Sequence, residues 1–182
     1  LGNSGIVAVE FALIAPVLIL MLLGVSEETA LVRAQMKVSH AAGLLVKMVA
    51  QQSPSVTPGA TGTLGNLCYG SELSLAPLIK TPFSAAIASV STTTSSTQTT
   101  TAMDWESDTS CAKTATALGS SAAVSLATAT GLIPSNGDSL IVVRVNYTYT
   151  AATHIVLSAS YNLSQTVYGR PRGDETITCS TC

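Results

Sequence analysis

The sequence predicts an α+β fold: one long N-terminal helix, apolar and then amphipathic, leading into a small antiparallel β-sheet head with a short Ala-rich helix. Three observations carry this. Ile6 to Val25 is an almost unbroken apolar run; apolar residues then recur at alternating spacings of three and four from Leu31; and the C-terminal half alternates apolar with polar residues at period two. The division expected is 1–52 for the helix and 53–182 for the head.

The first run, IVAVEFALIAPVLILMLLGV, is interrupted only by Glu10 and Pro16. Roughly twenty residues at about 1.5 Å rise make a helix of about 30 Å, the thickness of a bilayer's hydrocarbon core. A secretory signal would carry a basic segment, a shorter apolar core and a small-residue cleavage site. No Lys or Arg precedes Glu10, so the expectation is that an orienting signal lies upstream. Pro16 withdraws a donor from the carbonyl of Ala12, and a kink or a melted turn is expected there. Past Gly24, Leu31, Ala34, Val38, Ala41, Leu45 and Met48 form a seam suited to packing, while Arg33, Lys37, His40 and Lys47 lie off it as a solvated basic stripe. Gln51, Gln52, Ser53 and Pro54 end the helix, and Pro58, Gly59 and Gly62 continue as loop.

Within the head, 71–80 reads as a short helix or turn limited by Pro77. Between Ser91 and Thr101 every residue except Gln98 is Ser or Thr. By composition alone that is a stalk, yet Thr favours strands. Ile87 and Val90 before the run, with Met103 and Trp105 after it at spacing two, predict a hairpin over 86–94 and 99–106, whose exposed threonines could carry sugars. The Ala-rich stretch Cys111 to Thr130 predicts a helix interrupted near Gly119, with Asp108 or Ser110 as its cap. Pro134, Ser135, Asn136 and Gly137 make a turn. Ile141, Val143, Val145, Tyr147 and Tyr149 then alternate with more polar residues, and Ile155, Leu157, Ala159, Tyr161 and Leu163 repeat the pattern. The two runs predict an antiparallel pair joined near Ala151 to Thr153.

Composition excludes several functions. A net charge of −2 and eight Lys and Arg dispersed over 182 residues leave no basic patch for nucleic acid. Aromatic residues at 4% imply a core of small and β-branched side chains. No GxSxG, HExxH, P-loop or GxGxxG arrangement is present, so no enzymatic activity and no cofactor are expected. Asp104, Glu106 and Asp108 alternate around Trp105 and read as an exposed strand face; a cation site there would lack ligands. Arg172, Gly173 and Asp174 spell a cell-adhesion tripeptide too short to carry weight, and Asn146 and Asn162 begin glycosylation sequons.

Four cysteines permit three connectivities in a head outside the cytoplasm. Pairing of Cys68 with Cys111 and of Cys179 with Cys182 is favoured, because the CSTC tail can close locally. A metal or redox role for the tail is the sharper alternative, but no second metal-spaced pair accompanies it and His40 and His154 stand alone.

Gly5, four residues, then Glu10 and Phe11 opening an apolar helix through Pro16 resemble the TadE/TadG-like proteins of the tight-adherence (Tad) type IV pilus system. Trp105, the strand VVRVNYTYT and the segment Tyr168 to Arg172 extend the likeness. The resemblance implies a non-catalytic pilin or minor pilin serving surface attachment. Its helix would sit in the bacterial inner membrane before assembly and in the core of an extracellular filament afterwards. The implied partners are copies of itself, other pilins, the prepilin peptidase and the assembly machinery. Cleavage after Gly5 would free the amine of Ile6 and make Glu10, with Phe11 and Pro16, part of the assembly element. A carboxylate in an apolar setting needs a partner, and a neighbour's amine suits it. If residues 1–5 stay, the partner becomes the Leu1 amine, Arg33 or Lys37 of a neighbour, or a proton. The plainer reading of Glu10 is a carboxylate snorkelling to the headgroups. The alternative function is a membrane-anchored periplasmic assembly or binding protein that never polymerises.

Overall fold

The computed structural model describes residues 4–52, 54–78, 82–95, 98–132, 137, 139–151, 155, 160–172 and 176–182. Helix α1 (Ser4–Val49) runs for 46 residues and passes through Pro16 without a melted turn. A proline φ near −65° is itself helical, so the chain forgoes one hydrogen bond and remains helical. The C-terminal half of α1 buries Ala34, Val38, Ala41, Ala42, Leu45, Val46 and Val49, whereas Leu31 and Met48 are only partly covered. Arg33, His40 and Lys47 are exposed; Lys37 is half-buried and donates its Nζ to the Ala76 carbonyl at 2.6 Å.

Strand β1 (Ser55–Val56) leads into α2 (Thr63–Leu73), which begins well before the expected 71–80, directly after the loop that contains Pro58, Gly59 and Gly62. Three glycines at or next to its turns hid it from propensity arguments. Burial compensates: Leu64 and Cys68 are wholly enclosed, and the Ser71 hydroxyl donates to the Ala41 carbonyl of α1 at 2.8 Å.

Four antiparallel strands form the main sheet in the order β3-β2-β4-β5: β2 (Phe83–Ser95), β3 (Gln98–Ser107), β4 (Ser139–Thr150) and β5 (Ser160–Gly169). The β2–β3 hairpin contains the expected segments, and its Thr residues pair hydroxyl to hydroxyl across the strands, Thr92 with Thr101 at 3.1 Å and Thr94 with Thr99 at 3.2 Å. One correction concerns its register. Ser89 faces Trp105 but Val90 faces Met103, so Asp104 is the extra residue of a bulge. Met103 and Trp105 therefore lie on opposite faces of the sheet, not on one as their spacing suggests.

Strand β5 starts later than expected. Ile155 lies outside it, and Tyr149 pairs with Tyr161. Leu157, Ala159, His154 and the expected join at Thr153 lie outside the described residues, as do Pro134, Ser135 and Asn136 of the predicted turn. The Ala-rich helix is likewise shorter than read: α3 (Ser120–Ala129) begins after Gly119, whose φ of +74° suits glycine. Residues 111–118 cannot join it, because Cys111 is tied to Cys68 and the Glu106 carboxylate accepts the N–H groups of Leu118 and Gly119. A last strand, β6 (Thr178–Cys179), pairs in parallel with β1.

Helices pack on both faces of the sheet, α3 covering only part of the outer one. Ala85, Ile87, Ile141, Val143, Val145, Tyr147 and Tyr149 face α1 and α2, and Ala86, Ala88, Val90, Leu140 and Val142 face α3. Gly169 marks a close approach of β5 to α1, since a Cβ there would meet Val46 Cγ2 at 2.8 Å. The buried indole of Trp105 donates to the Ile177 carbonyl at 2.7 Å and closes the C-terminal segment over the core.

Candidate functional site: an exposed apolar helix rooted in the head

Among the described residues, none buries the apolar first half of α1. Ile6, Phe11, Leu13 and Leu22 are 62%, 69%, 72% and 70% exposed, and the most apolar window of the helix has none of its residues buried. By length and composition the helix can cross a membrane. Gly5, Glu10 and Pro16 are exposed on the same segment, so the residues expected to act in processing and assembly share one bare stretch. Removing so many aliphatic side chains from water is worth about 1.5–3 kcal/mol for each one fully buried, which makes lipid or another helix the stable surroundings.

The change from bare to covered helix occurs at Glu27. This residue is 5% exposed, and its carboxylate accepts the Ile155 N–H at 3.0 Å, fastening Ile155 to the helix. Sequence reasoning did not single it out; the only available signal was its place in the first polar cluster after the apolar run. From Ala34 onward α1 is rooted in the core, with Val38 1% and Leu45 0% exposed.

Two disulfides lock the head. Cys68–Cys111 joins α2 to the segment after β3, and Cys179–Cys182 closes the tail. The buried group Cys68, Glu72 and Cys111 has the closeness of a metal site. Its sulfurs are bonded to each other, and Glu72 accepts the Ala112 N–H at 2.9 Å, so the cluster reads as a structural lock. Asp104 accepts the hydroxyls of Ser89 and Ser91 at 3.1 and 2.6 Å, and Glu106 holds the approach to α3. Each of these two carboxylates is thus engaged locally. Arg172 binds the Ala50 carbonyl through its backbone N–H at 2.9 Å, while Gly173 and Asp174 lie outside the described residues. Burial, followed by the neighbouring Tyr149, pushes the Tyr147 phenol above its ordinary value.

Residues 5–43 match the model of the TadE-like protein family. The similarity to that family is confined to this N-terminal segment. The matched stretch takes in the whole bare half of α1, the Glu27 junction and the first turns that root in the head. Comparisons with curated proteins and with solved structures return no match for this chain.

Proposed function

We propose that this protein is a structural, non-catalytic subunit of a Tad-type pilus or related filament. It assembles by packing its N-terminal helix against those of other subunits and serves surface attachment. The observation that carries this reading is the bare apolar segment 6–25, continuous with a helix rooted in a disulfide-locked head. The TadE-like match over residues 5–43 supports it, since that family is structural and not enzymatic.

On this reading the helix sits in the inner membrane before assembly, and the filament replaces lipid with neighbouring helices. Prepilin peptidase cuts after Gly5, and the new Ile6 amine of one subunit meets Glu10 of another. Phe11 and Pro16 shape the surface around that pair. The test is direct. Filaments sheared from cells contain the chain with Ile6 at its amino terminus, and Glu10→Ala abolishes them while the protein still accumulates in the membrane. Normal filaments from the variant overturn the pairing. A chain that stays wholly in the membrane fraction after shearing establishes the second reading, an anchored assembly protein.

A further inference from the structure

We propose that the open half of the outer sheet face is a binding cleft for an acidic oligosaccharide. The outer face has two parts. Where β2 and β4 carry Ala88, Val90, Leu140 and Val142, α3 covers them. Farther along the same strands the side chains turn polar and the helix ends, leaving a cleft of about 690 Å³ walled by the segment after Cys111.

Its floor is a grid set by strand register. Ser84, Asn146 and Ser164 form one row across β2, β4 and β5, and Ala86, Arg144 and Thr166 form the next. Adjacent strands are about 4.8 Å apart and alternate residues about 6.8 Å, so hydroxyl, amide and guanidinium groups recur at a spacing comparable to that of sugar hydroxyls. Ala86 is wholly buried against α3, so on this row the cleft is lined by Arg144 and Thr166. Lys113 bridges to Ser84 through the backbone, bringing a second cation to the wall.

Charge selects the ligand. Among the described residues the Arg144 and Lys113 side chains have no ion-pair or hydrogen-bond partner, and no Asp or Glu lines the cleft. A half-buried guanidinium among neutral hydrogen-bonding groups is a ready partner for a carboxylate, sulfate or phosphate. Tyr147 borders the cleft but is 4% exposed and packs in the core on the opposite face, so it offers no open aromatic platform on which unpaired bases stack. A ligand rich in hydroxyls and bearing a negative charge satisfies the lining. The cleft also lies on the opposite face of the sheet from α1. Assembly through α1 therefore leaves it facing outward, and in this respect the inference rests on the attachment reading.

The test uses the full chain in detergent micelles. Probes are tetrasaccharides of galacturonate, guluronate and chondroitin sulfate, with methyl-esterified oligogalacturonate, inorganic phosphate and poly-L-glutamate as comparisons. At least one acidic saccharide is expected to bind at least tenfold more tightly than all three comparisons. Arg144→Gln should weaken it at least tenfold, Arg144→Lys should restore part of the loss, and Lys47→Gln, outside the cleft, should leave it unchanged. Circular dichroism checks that each variant is folded. Absence of binding by every acidic saccharide, or equal binding by folded Arg144→Gln, overturns the proposal. So does equal affinity for phosphate, which leaves a plain anion site, or for poly-L-glutamate, which indicates an acidic protein partner. Binding is read on the unassembled chain, so its failure leaves the filament proposal standing, and loss of filaments leaves the cleft standing.

Discussion

The two halves of α1 are one continuous helix with opposite relations to the rest of the protein. Residues 6–25 are apolar on every side and touch little of their own chain; residues 34–49 bury one side in the sheet and show the other to water. Helix geometry is common to both. What differs is who supplies the apolar surroundings. The second half finds them within the molecule, through Leu45, Val46 and Val49 against β4 and β5, and its pattern is accordingly amphipathic. The first half must find them in lipid or in neighbouring helices, and it has no polar stripe because those surroundings enclose it completely.

The sharpest way to break this comparison is to place the same charge in both halves. Leu45→Asp leaves a carboxylate where a wholly buried leucine stood. The lost packing alone costs about 2–5 kcal/mol, and the unpaired charge adds to it. The head should fail to fold, seen as loss of the buried Trp105 fluorescence and of cooperative denaturation. Leu13→Asp, at a residue 72% exposed, should leave the head's denaturation midpoint unchanged. Its effect should appear in membrane insertion, where an Asp at the helix centre costs about 2.5–3.5 kcal/mol. Equal effects of the two substitutions on head stability would erase the distinction.

How much of this was legible beforehand follows the same line. Both halves of α1 were readable because their periodicity is long and strong, and β4 because its alternation is clean. The errors fell where tertiary contacts overrule local pattern. Helix α2 depends on Leu64 and Cys68 being enclosed and on Ser71 reaching the Ala41 carbonyl, none of which its glycine-containing sequence announces. Helix α3 starts late because Glu106 and the Cys68–Cys111 bond hold the preceding residues elsewhere. The bulge at Asp104 moved Met103 to the face opposite Trp105, a reversal that counting residues cannot reveal. The bare apolar segment was visible in sequence, but the polar cleft was not. Its residues come from β2, β4, β5 and the segment after Cys111, and only register assembles them.

The two disulfides sharpen the comparison within the rooted half. Cys68 and Cys111 are 43 residues apart, and Cys179 and Cys182 only 3. Loop-closure entropy gives about 4 kcal/mol for the long loop and about 2 kcal/mol for the short one. Replacing both Cys68 and Cys111 by Ser should therefore lower head stability about twice as much as the same change in the tail pair, measured by urea denaturation. Membrane insertion of residues 6–25 should respond to neither, because that half owes its stability to its surroundings.

The smallest expected effect lies in the sheet under α1. Tyr147 is 4% exposed, and burial, then Tyr149, raises its pKa above that of the unfolded chain. The folded state thus keeps the phenolic proton at pH values where the unfolded chain has lost it. Stability from this residue is fully present below a pH of about 10 and declines as pH rises through the folded value. Tyr147→Phe should flatten the fall in denaturation midpoint above that pH, with little change at neutrality beyond the loss of the hydroxyl. Insertion of the bare half should not change over the same range, since no tyrosine lies between Ile6 and Val25. A matching alkaline loss of insertion would mean that the two halves of α1 are coupled through the head, and the contrast between them would then be one of degree.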